Sequence, residues 1–163
     1  MFRPIYFIVL IFFSAYVNAD NKIIIGEKEN IAINENQIHL IAKIDTGADS
    51  SSLGAKILET YKKNNELWVK FEVIDSLGQS NVLDRKVIRH VKIKRKKSHP
   101  LDNSIKRPII NLDICLGSHY QLKEVNLSNR SNFKFPFLIG KKFLRGKFIV
   151  DVEKSLTQTI NCH

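Results

Sequence analysis

The sequence lacks the motifs on which most metal- and nucleotide-dependent chemistry rests. It has no His-Glu-x-x-His helix for zinc and no Gly-rich loop closing in Gly-Lys-Ser or Gly-Lys-Thr; Gly140-Lys141 lacks both the upstream glycine and the hydroxyl. His39, His90, His99, His119 and His163 are scattered without a close ligand pair, so no metal and no cofactor are expected. Long helical periodicity, internal repeats and low-complexity segments are missing too, which argues against helical bundles, repeat arrays and a second domain. Acidic residues are the scarcer charge, 16 against 26 Lys and Arg.

Residues 1–19 read as a signal peptide. Arg3 supplies a positive start, residues 5–15 a short apolar core, and Val17-Asn18-Ala19 a small residue suited to cleavage before Asp20. The apolar run is short and poorly flanked for a membrane span; an uncleaved anchor is the alternative. No cysteine lies near the cleavage point, which argues against a lipoprotein. The expected location is therefore periplasmic or secreted, with residues 20–163 as one compact domain and too few residues for two. Losing Arg3 takes Lys and Arg from 26 to 25 against 16 acidic residues, about +9, a balance that favours acidic partners without naming them.

Apolar residues alternate in short runs between turn residues, the pattern of a small barrel or sandwich. Ile23-Ile24-Ile25 and residues 30–33 predict a first hairpin around Gly26-Glu27-Lys28-Glu29, and residues 38–44 a strand. Val69, Phe71 and Val73 alternate with Lys70 and Glu72 before a turn at Leu77-Gly78-Gln79, and another strand continues from Val87 through Val91 and Ile93. A helical turn is expected only at residues 141–145, before a strand at 147–152. In the strand 110–116 the alternation puts Cys115 on the polar face beside Asn111 and Asp113; bonding to Cys162, which would pin the C-terminal tail, and two free thiols are both open.

The run Ile41-Ala42-Lys43-Ile44 delivers Asp45-Thr46-Gly47-Ala48-Asp49, the only such carboxylate turn in the chain. Gly47 allows close approach and unusual backbone conformations, and small Ala48 leaves room beside the carboxylate. Taken alone, Asp-x-Gly is also an ordinary Asx-turn.

Ordered blocks around the turn carry more. Residues 41–48 are similar to the AKxDTGA segment, and Ser50-Ser51-Ser52-Leu53 to the SSL segment, of the retropepsin-like bacterial aspartic peptidase family, often labelled ATP-dependent zinc proteases. Arg107-Pro108-Ile109-Ile110 resembles its RPxI strand entry; Val125-Asn126-Leu127-Ser128-Asn129-Arg130 and Phe135-Pro136-Phe137-Leu138-Ile139-Gly140 resemble its closing block. The resemblance implies an all-β fold, a single-lobe acid-protease barrel with one short helix, active as a symmetric dimer. Asp45 would be catalytic. Thr46 would hydrogen-bond across the dyad, Gly47 and Ala48 would support the turn, Gly140 would let two loops pass closely, and Asp49 would be structural. The family usually has Arg where this chain has Lys141; Lys keeps the charge and loses the bidentate fork, which implies a weaker brace to Asp49. The zinc and ATP label finds no support in these residues.

The segment 92–97 has five positive residues in six, at a hairpin tip where the fold would place a flap. Lys94, Arg95, Lys96 and Lys97 are candidates to hold an acidic peptide or protein substrate, a class also suggested by relatives that act beside glutamate-adding ligases. A solvated surface is the plainer reading. Nucleic acid is not expected, since no aromatic lies beside the run. The rival reading of the whole chain is a non-catalytic periplasmic binding module on the same fold.

Overall fold

In the computed structural model, alternating side chains build eleven strands and one helical turn within the described residues, 21–35, 37–93, 105–130 and 133–162. In chain order these are β1 (Ile23–Ile25), β2 (Lys28–Ile33), β3 (Ile38–Asp45), β4 (Ser51–Gly54), β5 (Lys56–Lys63), β6 (Glu66–Ile74) and β7 (Ser80–Ile93). Then come β8 (Ile105–Leu116), β9 (His119–Ser128), β10 (Phe137–Gly140), α1 (Lys141–Leu144) and β11 (Phe148–Val150).

Six strands close a barrel in the order β2, β3, β10, β4, β9, β8 and back to β2. Closure depends on the length of β8. One of its edges pairs first with β7, through residues 105–110, and then with β2, through Ile114 and Cys115. β7, β6 and β5 extend the sheet beyond the barrel, yet Val69, Phe71, Val73, Leu83 and Val87 enter the same core as Ile31, Leu40, Ile110, Leu112 and Phe137. Each such buried side chain contributes roughly 1.5–3 kcal/mol relative to exposure, so the alternation read from sequence has a direct energetic cause.

The predicted first hairpin does not form. β1 pairs in parallel with β11 instead, and an added Cβ at Gly26 would collide with the Lys154 carbonyl, because the C-terminal segment occupies that space. The first hairpin is β2–β3, closed by Asn34 and Glu35, both at φ 54. Nor are the central strands short: β7, β8 and β9 have 14, 12 and 10 residues.

The cysteines are bonded, Cys115 to Cys162 across Cα atoms 6.0 Å apart. Cys115 shares a face with Asp113, but that face is covered rather than wet, with both residues buried. Over Asp113 the covering is the β2–β3 turn, whose Glu35 N donates to Asp113 Oδ2 at 2.6 Å; over Cys115 it is the C-terminal tail, through Cys162 and Ile160. The tail's course is fixed by Glu29, fully buried, which accepts hydrogen bonds from Gly26 N (2.6 Å), Thr157 Oγ1 (2.6 Å) and Gln158 N (3.0 Å).

Candidate active site

Asp45 ends β3. β3 and β4 do not pair with each other; they flank β10, which runs parallel to β3 with Gly140 opposite Asp45, and antiparallel to β4. Between Asp45 and Ser51 the chain therefore has to pass over the end of β10. Only a tight turn can do this, and residues 46–50 form it.

The carboxylate is held by the turn's own backbone: Asp45 Oδ1 accepts from Gly47 N at 2.9 Å and Ala48 N at 3.2 Å. Asp45 is half-buried, and Thr46 and Gly47 stand exposed at the tip. Gly47 does not use the left-handed backbone open to glycine. Its requirement is space, since a Cβ there would lie 3.2 Å from Asp45 Oδ1. Gly140 is more confined still, because a Cβ would lie 2.7 Å from the Ser50 carbonyl and 3.0 Å from Ala48 O.

From below, the first amides of α1 hold the turn: Lys141 N donates to Ala48 O at 2.8 Å and Lys142 N to Asp49 O at 3.0 Å. Lys141 Nζ reaches Asp49 Oδ1 at 2.9 Å. Its hydrogen bond, then its charge, hold the Asp49 carboxyl below the usual carboxylate range. Asp49 is 79% exposed, so this brace is a solvent-screened ion pair.

A further support was not legible as such in the sequence. Ser51 Oγ accepts from Gly140 N (3.2 Å), Asn126 Nδ2 donates to Ser51 O (2.8 Å), and Asn126 Oδ1 accepts from Ser52 Oγ (3.1 Å), which in turn shares a hydrogen bond with Ser128 Oγ (2.9 Å). All four side chains are buried. Buried polar groups that satisfy one another rigidify their surroundings, and here they tie β4, β9 and the end of β10 together. The Ser-rich and Asn126 blocks were the available signal, but it named segments, not partners.

Lys94, Arg95, Lys96 and Lys97 lie outside the described residues. The stem of their hairpin is described, with Lys92 opposite Lys106 and Ile93 opposite Ile105. Among the described residues, no group of three His, Cys, Asp or Glu is placed to hold a metal, and no helix is long and apolar enough to cross a membrane.

Residues 24–161 match the sequence model of the RimB-like family, described as retropepsin-like aspartic endopeptidase RimB. The chain belongs to this family. The six-strand barrel and the single short helix agree with the family's all-β fold. RimB-like chains also have relatives under another name. A protein of Shewanella halifaxensis named "Probable alpha-L-glutamate ligase" is 32% identical over 141 residues, 84% of this chain and 30% of the relative. A Desulfotalea psychrophila protein of the same name is 32% identical over 139 residues, 80% of this chain and 28% of the relative. The chain thus spans under a third of the length of these curated relatives. A crystal structure of a Legionella pneumophila protein of unknown function is similar at TM-score 0.69 and 31% identity, covering 83% of this chain and 98% of that one.

Proposed function

We propose that this RimB-like chain is an aspartic endopeptidase whose active site is completed by a second copy. The observation that carries the reading is Asp45, clamped by two turn amides at the end of β3 over a glycine that admits no larger residue. Peptide hydrolysis by this chemistry needs one group to take a proton from water and another to give one to the carbonyl oxygen, and the chain has one such turn. Two turns meeting about a two-fold axis supply both groups, and the paired carboxylates share one proton. The ionised Asp45 takes a proton from water as its oxygen attacks the carbonyl carbon. The protonated Asp45 of the second copy gives its proton to the carbonyl oxygen, forming a gem-diol; the first Asp45 then passes the proton it took from water to the amide nitrogen, the C–N bond breaks, and the second Asp45 recovers a proton from a gem-diol hydroxyl as the new carboxylic acid forms, so the pair again holds one proton. Thr46 would bridge to the second copy, a role supported by its exposure at the tip.

Acidic peptides are the proposed substrates, on the strength of the net charge and the basic hairpin tip; the glutamate-ligase name of longer relatives fits that class. Residues 1–19 direct export to the periplasm or beyond, a reading supported by the Cys115–Cys162 bond, which persists in oxidising compartments. Asp45→Asn tests the mechanism: the variant should fold and lose peptide hydrolysis, because an amide cannot take the proton. Turnover at the wild-type rate in the purified variant contradicts it.

A further inference from the structure

Two arginines in the family-like blocks have no part in the turn chemistry. Arg107, in β8, places Nη1 3.4 Å from Asn126 Oδ1, at the edge of the buried network behind the turn. Arg130 follows β9. Its Nε donates to Phe135 O at 3.1 Å, its guanidinium carbon stands 4.5 Å from the Phe133 ring centre, and its stem lies against Gly54, where a Cβ would come within 3.0 Å of Arg130 Cβ. Backbone, ring and stem together fix the guanidinium on the wall of a cavity of about 600 Å³ whose other walls include Gly54, Ile57, Ile74 and Pro136. Lys56 and Glu72 also line that cavity and are 4.0 Å from each other.

Neither arginine has a carboxylate within ion-pair distance among the described residues, and both are half-buried. Burial, and then the Arg107 charge, lower the Arg130 pKa; the Asp45 carboxylate acts the other way, so Arg130 lies within the electrostatic reach of both. Two like charges partly withdrawn from water are costly without an anion. A guanidinium whose Nε is already committed still presents its two terminal nitrogens, a geometry that matches a carboxylate. The segment carrying Phe135 and Pro136 runs directly into β10 and Gly140, so this guanidinium is fixed relative to the catalytic turn by a few residues of paired backbone.

We propose that Arg130, reinforced by Arg107, is the specificity-determining residue that binds a substrate carboxylate beside the scissile bond. This deepens the peptidase reading and rests on it, and it assigns acid recognition to Arg130 and Arg107, residues other than the basic run 94–97. The carboxylate can come from an acidic side chain or from a chain terminus, and the two sources are separable.

The test uses the full chain and peptide pairs identical except for Glu or Gln, scanned across the positions flanking the cleaved bond, each with a free or amidated C-terminus. Wild type should favour one Glu position by roughly tenfold or more in kcat/KM, the scale of a charge-assisted hydrogen bond. Arg130→Gln should bring that ratio to about one, chiefly through KM, while cleavage of the Gln peptide persists; Arg130→Lys should recover part of it. If amidation and not Glu→Gln removes the preference, the carboxylate bound is the chain terminus. An unchanged ratio in folded Arg130→Gln and Arg107→Gln overturns the proposal, as does a wild-type ratio of one at every position and terminus. Hexa-glutamate binding to the Asp45→Asn variant, followed by calorimetry, separates the two readings. Binding that is lost on adding Arg130→Gln, with no hydrolysis by wild type, sinks the peptidase and keeps the carboxylate site; hydrolysis with binding indifferent to Arg130 does the reverse.

Discussion

At Gly140 the turn leaves no room for even a methyl group, since a Cβ would stand 2.7 Å from the Ser50 carbonyl. Gly140→Ala must push the turn away from β10, at roughly the 1–3 kcal/mol typical of overpacking. Because the displaced atoms carry Asp45, hydrolysis should fall further than thermal stability does; equal losses in the two measurements would place the strain elsewhere. Lys141 acts on the same turn through charge. The Asp49 carboxyl is depressed by Lys141, so the stabilisation is present above the unfolded carboxylate value, near pH 4, and is lost as pH falls through the lower folded value. Lys141→Met should raise the Asp49 pKa in an NMR titration and lower stability at neutral pH, with the difference from wild type closing in acid. An unmoved Asp49 titration would exclude the brace. Asp45 and the glycines were legible because short motifs encode them within a few residues. The Ser51–Asn126 pairing was not, because it depends on the parallel register of β4 and β9, and the two residues are 75 apart in the chain.

Among the elements, strands with one buried face could be read from alternation, and those set by long-range pairing could not. β6 shows Val69, Phe71 and Val73 buried between exposed or half-buried neighbours, as its pattern requires. β5 is exposed almost throughout and has no apolar face to read; its signal was the Asn64-Asn65 pair, both in the left-handed region at φ 50 and 62, which favours a tight hairpin. β1 was misassigned because three isoleucines look alike whether they pair with β2 or with β11. What decides is the C-terminal segment, docked by Glu29 and by the disulfide. The cross-link spans 47 residues, and closing such a loop in the unfolded chain stabilises by on the order of 2–4 kcal/mol. Replacing Cys115 and Cys162 by Ser should therefore lower the unfolding free energy by about that amount, with the earliest loss of amide protection in residues 151–162. Equal protection of that tail with and without the bond would show that Glu29 alone docks it.

For the whole molecule, the single carboxylate turn is a half-site in the proposed reading, which stands or falls on the assembly of two copies. The barrel supplies the rigidity: Asp45, Gly140 and the buried Ser51–Asn126 network sit on paired strands, and in the proposed dimer only the exposed tip at Thr46 and Gly47 would have to meet a second chain. At this scale the family and the all-β fold were legible through the ordered motifs; charge and length alone allowed a single lobe without naming its fold. The most direct test is to titrate a fixed amount of wild-type protein with the Asp45→Asn variant and follow peptide hydrolysis. If the site is shared, mixed dimers are inactive, and at equal amounts, at a concentration where both proteins are fully dimeric, activity should fall to about half, as random pairing in a two-fold dimer requires. Activity that stays constant while exchange between the two proteins is demonstrated would mean that a single chain carries the complete site.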